Sequence, residues 1–246
     1  MKFDTVIIGG GLSGLFCGIE LAKANQKVAI VSAGQSTLPI RFASFDLLGY
    51  DEEGNVVSNP IAAIPSLSAS HPYHKVGDSL VEPLFKHAQE LLTEAGVEFK
   101  GSMERNHFRM TPVGLLKPTC LSLTPSAMIE NEDSFPWKNV VLVDIIGFLD
   151  FPVEFIAAGI EKLGSTCTIK HLSIPELKVR RKSPSENRSV NVGRILSTPK
   201  VLQRVVEEVK NAAHGDVVLL PAIIWQELRS LYDELKKEIP VPIYCI

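Results

Sequence analysis

Apolar and polar positions set out the start of the chain most sharply. Phe3 to Ile8 is an apolar run of strand length, glycines interrupt it, apolar positions at helical spacing follow, and Lys27 to Val31 is a second apolar run. The stretch VIIGGGLSGLFCGIELAKANQKVAIVS, Val6 to Ser32, therefore predicts a strand, a turn, a helix and a parallel strand, which together make a βαβ unit. Within the helix, Leu15, Ile19 and Ala22 share a stripe while Glu20 and Lys23 fall elsewhere, so that stripe is expected to pack inward. Gly18 comes one turn after Gly14 and lets the helix approach the strands closely.

Further along, Tyr50 to His74 mixes glycine, proline, asparagine and serine and predicts a long irregular excursion. Helical spacing returns in Val81 to Gly96 through Leu84, Ala88, Leu91 and Leu92, with Gly96 as the cap, and a short strand is expected at Val97 to Lys100. Asn106 to Gly114 alternates like a strand feeding a proline turn. The polar stretch Glu130 to Trp137 marks a boundary, so residues 1–137 are expected to form one domain and 138–246 another. The second begins with a strand at Val140 to Ile146 and a helix at Pro152 to Leu163. A strand at Thr166 to Leu172, a helix at Pro199 to Ala213, a strand at Val217 to Leu220 and a helix at Trp225 to Lys237 follow, before a final strand at Val241 to Ile246. The fold class is therefore α/β: a Rossmann-like, FAD/NAD(P)-binding type of βαβ unit followed by a second parallel α/β domain. The terminal apolar strand is expected to lie uncovered and to promote self-association.

Chemistry enters at the glycines. Gly9, Gly10 and Gly11 with Gly14 form G-x-G-x-x-G after a strand and before a helix, the arrangement that brings a phosphate to bare backbone at a helix N-terminus. Gly9, Gly10, Gly11, Leu12, Ser13 and Gly14 are the candidate cofactor-binding residues here. Ser32, Gly34, Gln35 and Ser36 join them from beyond the second strand. An acidic residue normally ends that strand in dinucleotide sites and holds the adenosine ribose; Ser32 stands there instead, and it cannot offer the charge-assisted bond of a carboxylate.

Composition narrows the rest. A net charge of −3 gives no broad attraction to nucleic acid, and no apolar run reaches the length of a membrane span, which predicts a cytoplasmic protein. Cys17, Cys120, Cys167 and Cys245 are scattered and are expected to be reduced core residues; no metal site is predicted. His71 and His74 have poor ligand spacing, while His107 and Arg109 face either solvent or an anion. The basic loop from Lys178 to Arg188 is either a solvated surface or an anion or partner site. No spacing identifies catalytic residues.

These residues carry a resemblance. MKFDTVIIGGGLSGLFCGIELAK, AIVSAGQSTLP, SFDLLG, HPY, RMTPVGLLKPT, LVDIIGFLDF, VNVGRIL and VVLLPA resemble stretches of the B subunits of anaerobic glycerol-3-phosphate dehydrogenase, along essentially the whole chain. The resemblance implies a flavoprotein subunit with FMN, or alternatively FAD. It implies an oxidoreductase of anaerobic respiration that oxidises glycerol 3-phosphate to dihydroxyacetone phosphate and passes electrons to quinone. It also implies two partners, an FAD-bearing catalytic A subunit and an iron–sulfur C subunit that attaches the assembly to the inner face of the cell membrane, with residues 138–246 facing substrate or partner. Ile40-Arg41-Phe42-Ala43 departs from the small, hydroxyl-bearing run of that family, and family members run longer, so the sequence is expected to be part of a longer polypeptide that binds flavin weakly by itself. Two other readings stand beside this one. The chain could be a non-catalytic docking subunit with an incomplete cofactor site, or an unrelated FAD-dependent oxidoreductase.

Overall fold

The computed structural model describes residues 2–33, 44–179, 189–226 and 228–246. The N-terminal pattern folds as its periodicity dictates: β1 (Thr5–Ile8), α1 (Leu12–Lys23) and β2 (Val28–Val31), with β1 and β2 parallel and in register from Thr5↔Val28 to Ile8↔Val31. The helix, however, is turned differently from the expected stripe. Leu15 and Ile19 are exposed, and the residues against the strands are Gly14 and Gly18. A β-carbon on Gly18 would lie 2.9 Å from Ile30 Cδ1, so a larger residue there would have to displace that side chain. Close approach through glycine has overridden burial of the apolar stripe.

The excursion after Gly49 is more ordered than its composition suggests. It contains α2 (Pro60–Ala63), a 3-10 turn at Ile64–Ser66 and α3 (Pro72–Val76). Asn59 Oδ1 accepts from the Ala62 amide at 3.0 Å and His71 Nδ1 from the Tyr73 amide at 3.2 Å; these N-caps start the two helices. Val57, Ile64 and Leu67 are buried, so the segment is anchored by apolar side chains that the turn-rich composition concealed. α4 (Asp78–Glu94) follows, buries Val81 and Leu91, leaves Leu84 exposed, and ends with Gly96 in the left-handed region at φ 80°.

Short strands missed by the periodicity complete this half. The strand β3 (Ser44–Phe45) precedes the excursion; β4 (Phe99–Gly101), β5 (His107–Met110), β6 (Leu116–Thr119) and β7 (Leu121–Leu123) follow α4. One antiparallel sheet has the order β3-β7-β4, and β5 and β6 form a hairpin. Asn106, at the entrance to β5, donates through Nδ2 to the Leu48 carbonyl at 2.8 Å and the Val57 carbonyl at 2.7 Å. Both bonds are buried, so they pin the excursion to the hairpin. Asn106→Ala would leave two carbonyls dry and unpaired, and is expected to lower stability by about 2–4 kcal/mol, read as a drop in the urea midpoint.

The remaining strands and helices are β8 (Asn139–Ile145), α5 (Val153–Lys162), β9 (Thr166–Leu172), α6 (Pro175–Val179), α7 (Ser189–Leu196), α8 (Pro199–Ala212), β10 (Val217–Leu220), α9 (Ile223–Gln226), α10 (Arg229–Glu238) and β11 (Ile243–Cys245). The four strands form one parallel sheet in the order β11-β10-β8-β9. Cys167 feels Glu161 of α5, whereas Lys170, of opposite parity on the same strand, lies 3.8 Å from Glu208 of α8; the two helices therefore cover opposite faces. This two-sided cover explains why Val140 to Ile145 is buried throughout. The helix expected at Trp225 to Lys237 is instead two, α9 and α10, because Leu228 leaves helical geometry (φ −137°, ψ 51°) and is buried.

The last strand is also covered, contrary to expectation. β11 pairs with β10, Ile243 and Cys245 are buried, and Tyr232 Oη of α10 donates to the Ile243 carbonyl at 3.3 Å. On its other side, Cys245 N–H donates to the Pro125 carbonyl at 2.7 Å, and Ala127 N–H donates to the Cys245 carbonyl at 2.8 Å. Cys17 departs from the expected core position: it is exposed on α1.

Candidate functional site

The glycine turn joins β1 to α1, and its glycines have different surroundings. Gly9 has φ 114°, which side chains rarely adopt. A β-carbon on Gly14 would sit 2.1 Å from the Gly9 carbonyl oxygen and 3.3 Å from Ile7 Cγ2, so this position must stay bare for the helix to start where it does. A β-carbon on Gly11 would meet nothing within 4 Å: the space above it is open. At Gly10 the nearest atom to such a carbon is Ser32 Oγ, at 3.0 Å, so the end of β2 lies directly beside the turn.

Gly11 is the N-cap of α1, with φ −78° and ψ 178°, and the helix has neither a side-chain cap nor an acidic residue in its first turn. Leu15 N–H is the first to bond back, to the Gly11 carbonyl at 2.9 Å, which leaves the amides of Leu12, Ser13 and Gly14 without helical acceptors. Bare donors, the positive end of the helix dipole and open space over Gly11 fit a phosphate group. The residues present thus suit the phosphate end of a nucleotide or flavin cofactor. Gly34, Gln35 and Ser36 lie outside the described residues, as do Ile40 to Ala43 and residues 180–188 of the basic loop.

The histidines singled out from sequence make structural contacts. His107 is 2% exposed, and its Nε2 lies 2.7 Å from Ser122 Oγ. Burial pushes its pKa down to about 4, helped by Lys100 and opposed by Glu130 and Asp46, so the ring is neutral near pH 7 and is not an anion ligand. Arg109 is half-buried on the same strand. His71 caps α3, while His74 spans from the Leu67 carbonyl, 3.0 Å from Nε2, to Asp78, 2.5 Å from Nδ1. No group of three or more potential metal ligands occurs among the described residues. Burial raises the thiols of Cys120 and Cys167 to about 11, which leaves them un-ionised and unreactive near pH 7.

One arrangement has no signal in the sequence. Near the carboxyl ends of the parallel strands, buried Asp144 on β8 places Oδ2 2.8 Å from Nδ1 of the exposed His171 on β9. The carboxylate holds one ring nitrogen of a side chain that is otherwise open to solvent. Only strand pairing, Asp144↔His171, brings them together, and no local spacing announces it. A separate cleft of about 280 Å³ lies between the β5–β6 hairpin and α5, lined by Phe108, Leu116, Pro118 and Lys162 among others; no residue of the glycine turn lines it.

Comparison with known proteins agrees with the glycine-turn geometry. The family described as FAD binding domain matches residues 4–224. The B subunit of anaerobic glycerol-3-phosphate dehydrogenase from Yersinia pseudotuberculosis serotype I (strain IP32953) is 38% identical over 251 residues, covering 100% of this chain and 59% of the relative. The same subunit from Pectobacterium carotovorum subsp. carotovorum (strain PC1) is 36% identical over 247 residues, covering 99% and 59%, and that from Actinobacillus succinogenes is 36% identical over 244 residues, covering 96% and 57%. The chain thus spans about three fifths of the length of the relatives it matches. No solved structure matches it. With a parallel βαβ unit, a glycine turn open to a phosphate and a family match that runs through most of its length, the chain belongs to the FAD binding domain family.

Proposed function

We propose that this chain is the flavin-binding part of an oxidoreductase subunit that works in glycerol 3-phosphate oxidation, giving dihydroxyacetone phosphate. The observation that carries the reading is the uncapped start of α1 beneath open space at Gly11. In it, the amides of Leu12, Ser13 and Gly14 would hold a flavin phosphate, Gly9 and Gly10 shape the turn, and Ser32, beside the turn at the end of β2, stands where a carboxylate would hold an adenosine ribose. Gly34, Gln35 and Ser36 follow Ser32 in sequence and are assigned to the same site. A bound flavin would supply the hydride acceptor, and this chain would bind and orient it. The similarity to the dehydrogenase subunits supports the substrate class, and the A and C partner subunits, quinone as final acceptor and a place at the inner membrane face are part of the same proposal. No helix among the described residues is long and apolar enough to cross a membrane, which accords with attachment through a partner. Residues 1–137 act as the cofactor domain and 138–246 as a second parallel α/β domain facing substrate or partner.

The family description favours FAD, whereas Ser32 in the place of a carboxylate favours FMN, which has no adenosine ribose to hold. Purification followed by chromatography of the released cofactor decides the flavin. A chain that stays flavin-free after reconstitution overturns the proposal in favour of a docking role, and FAD binding with no reduction by glycerol 3-phosphate in the assembled complex points to another substrate. Ser32→Glu supplies the missing carboxylate and is expected to tighten FAD about tenfold while weakening FMN, whose terminal phosphate would face the new charge beside the turn, as titration of each flavin would show.

A further inference from the structure

The two faces of the β5–β6 hairpin differ. Phe108 and Met110 point into the core and are buried. Their strand neighbours His107 and Arg109 face the other way, and the register sets Thr119 opposite His107 and Lys117 opposite Arg109. At the His107 end this second face is closed by β7, through Ser122. Towards Lys117, whose side chain is 44% exposed, it opens to solvent.

Arg109 and Lys117 are thus direct cross-strand partners of one sign. Like charges directly opposite each other destabilise an antiparallel pair, so the hairpin keeps two cations here against its own stability, as chains do where a site requires it. Asp46, just beyond β3, offsets part of the repulsion. Lys117 Nζ donates to its Oδ2, Ser44 Oγ donates to its Oδ1 at 2.9 Å, and Thr119 also bonds to it. Both carboxylate oxygens are therefore already engaged by donors. Burial lowers the pKa of Arg109, and the charge of Asp46 acts against that. Glu130, the other carboxylate felt at His107, lies 3.2 Å from Arg105. With His107 neutral near pH 7, Arg109 and Lys117 against Asp46 leave this face with a net positive charge among the described residues.

We propose that Arg109 and Lys117, with Lys117 held in place by Asp46, bind the phosphate of a small phosphate monoester. The donors select that chemistry. A guanidinium presents a planar fork that meets two oxygens at once, and an ammonium adds a compact charge beside it. A phosphate monoester answers with three terminal oxygens and a charge of about −1.5 to −2. Asp46 repels such an anion, yet it also fixes the ammonium before the ligand arrives, which lowers the cost of ordering the site. The identity of the ester, glycerol 3-phosphate or its ketone product, rests on the function proposed above; the anion site does not. A flavin phosphate has the same chemistry, and the experiment separates the two.

Nuclear magnetic resonance on this chain tests it, with the Arg109 Nε–H signal identified by its disappearance in Arg109→Lys. Inorganic phosphate and glycerol 3-phosphate are expected to shift that signal to saturation, and glycerol to leave it in place. Lys117→Gln, at an exposed position, should weaken both phosphates at least about tenfold while flavin affinity stays within about twofold. No shift with either phosphate, or equal affinity in Lys117→Gln, overturns the inference and leaves the function above standing, because flavin retention is measured separately. A response to inorganic phosphate with none to glycerol 3-phosphate also overturns it, the ion then being adventitious. So does a flavin affinity that falls in step with that for phosphate, because the flavin is then the occupant. Saturable shifts by both phosphates in a chain that retains no flavin uphold the site while the function falls.

Discussion

Gly14→Val is expected to leave the purified chain without flavin and to unfold its N-terminal unit. Even the first carbon of the new side chain would fall 2.1 Å from the Gly9 carbonyl oxygen, inside any tolerable contact, with Ile7 Cγ2 behind it at 3.3 Å. The clash is with backbone, which no rotamer relieves, so α1 must move away from β1 or the turn must open. Overpacking of this kind costs about 1–3 kcal/mol in an ordinary core and more where backbone has to shift. Here it also displaces the first-turn amides from their common focus. Absorbance of the isolated chain near 450 nm after flavin reconstitution, together with amide exchange in β1, measures both effects. Gly11→Ala is the comparison: its β-carbon meets nothing in the protein, so the fold should persist while the added methyl intrudes where the phosphate would lie.

The second large effect is an acid-sensitive loss of stability centred on His107. Its folded pKa is depressed to about 4 by burial, against an ordinary value of 6.5. Below 6.5 the unfolded chain takes up a proton that the folded chain refuses until about pH 4. Stability is therefore full above pH 6.5, falls as pH drops from 6.5 to 4, and changes no further from this group below that. The shift corresponds to roughly 3 kcal/mol across that window. Asp46 and Glu176, whose pKa values are lowered, contribute to acid unfolding at lower pH. For Asp46 burial acts upward, and hydrogen bonds from Lys117, Thr119 and Ser44 outweigh it. His107→Gln keeps a polar group near Ser122 and removes the titration. Urea unfolding at pH 7 and pH 4.5 should show a steep loss for the natural chain and a much shallower one for the variant. Equal slopes would mean that the ring is not held neutral.

Sequence pattern revealed what depends on neighbours along the chain. The βαβ unit, Thr166–Leu172 and Val217–Leu220 follow from local periodicity, and the four glycines announce the turn through local demands: Gly9 for its positive φ, Gly10 and Gly14 for close neighbours, and Gly11 for open space above the helix start. What escaped depends on contacts between distant segments. Strands as short as Ser44–Phe45 and Leu121–Leu123 carry too few residues for alternation to register. Leu15 and Ile19 satisfy the rule for a buried stripe, yet the demand for close approach at Gly14 and Gly18 turned the helix the other way. Burial of Ile243 and Cys245 required knowing that α10 and the Pro125–Ala127 segment close over them. The Asp144–His171 pair is invisible for the same reason, being a product of strand register.

The clasp between Cys245 and the Pro125–Ala127 segment also orders events in time. Its two backbone bonds join the antiparallel strands of the first half to the last strand of the parallel sheet, across a very large sequence separation. During synthesis the glycine turn, the hairpin and β7 all emerge while their partner at Cys245 does not yet exist. Long loop closure is entropically slow, so this junction should form later than the hairpin and β7 themselves. Until it forms, the 125–127 backbone presents unpaired donors and acceptors next to apolar side chains, which makes that junction the stretch most in need of shielding during biosynthesis.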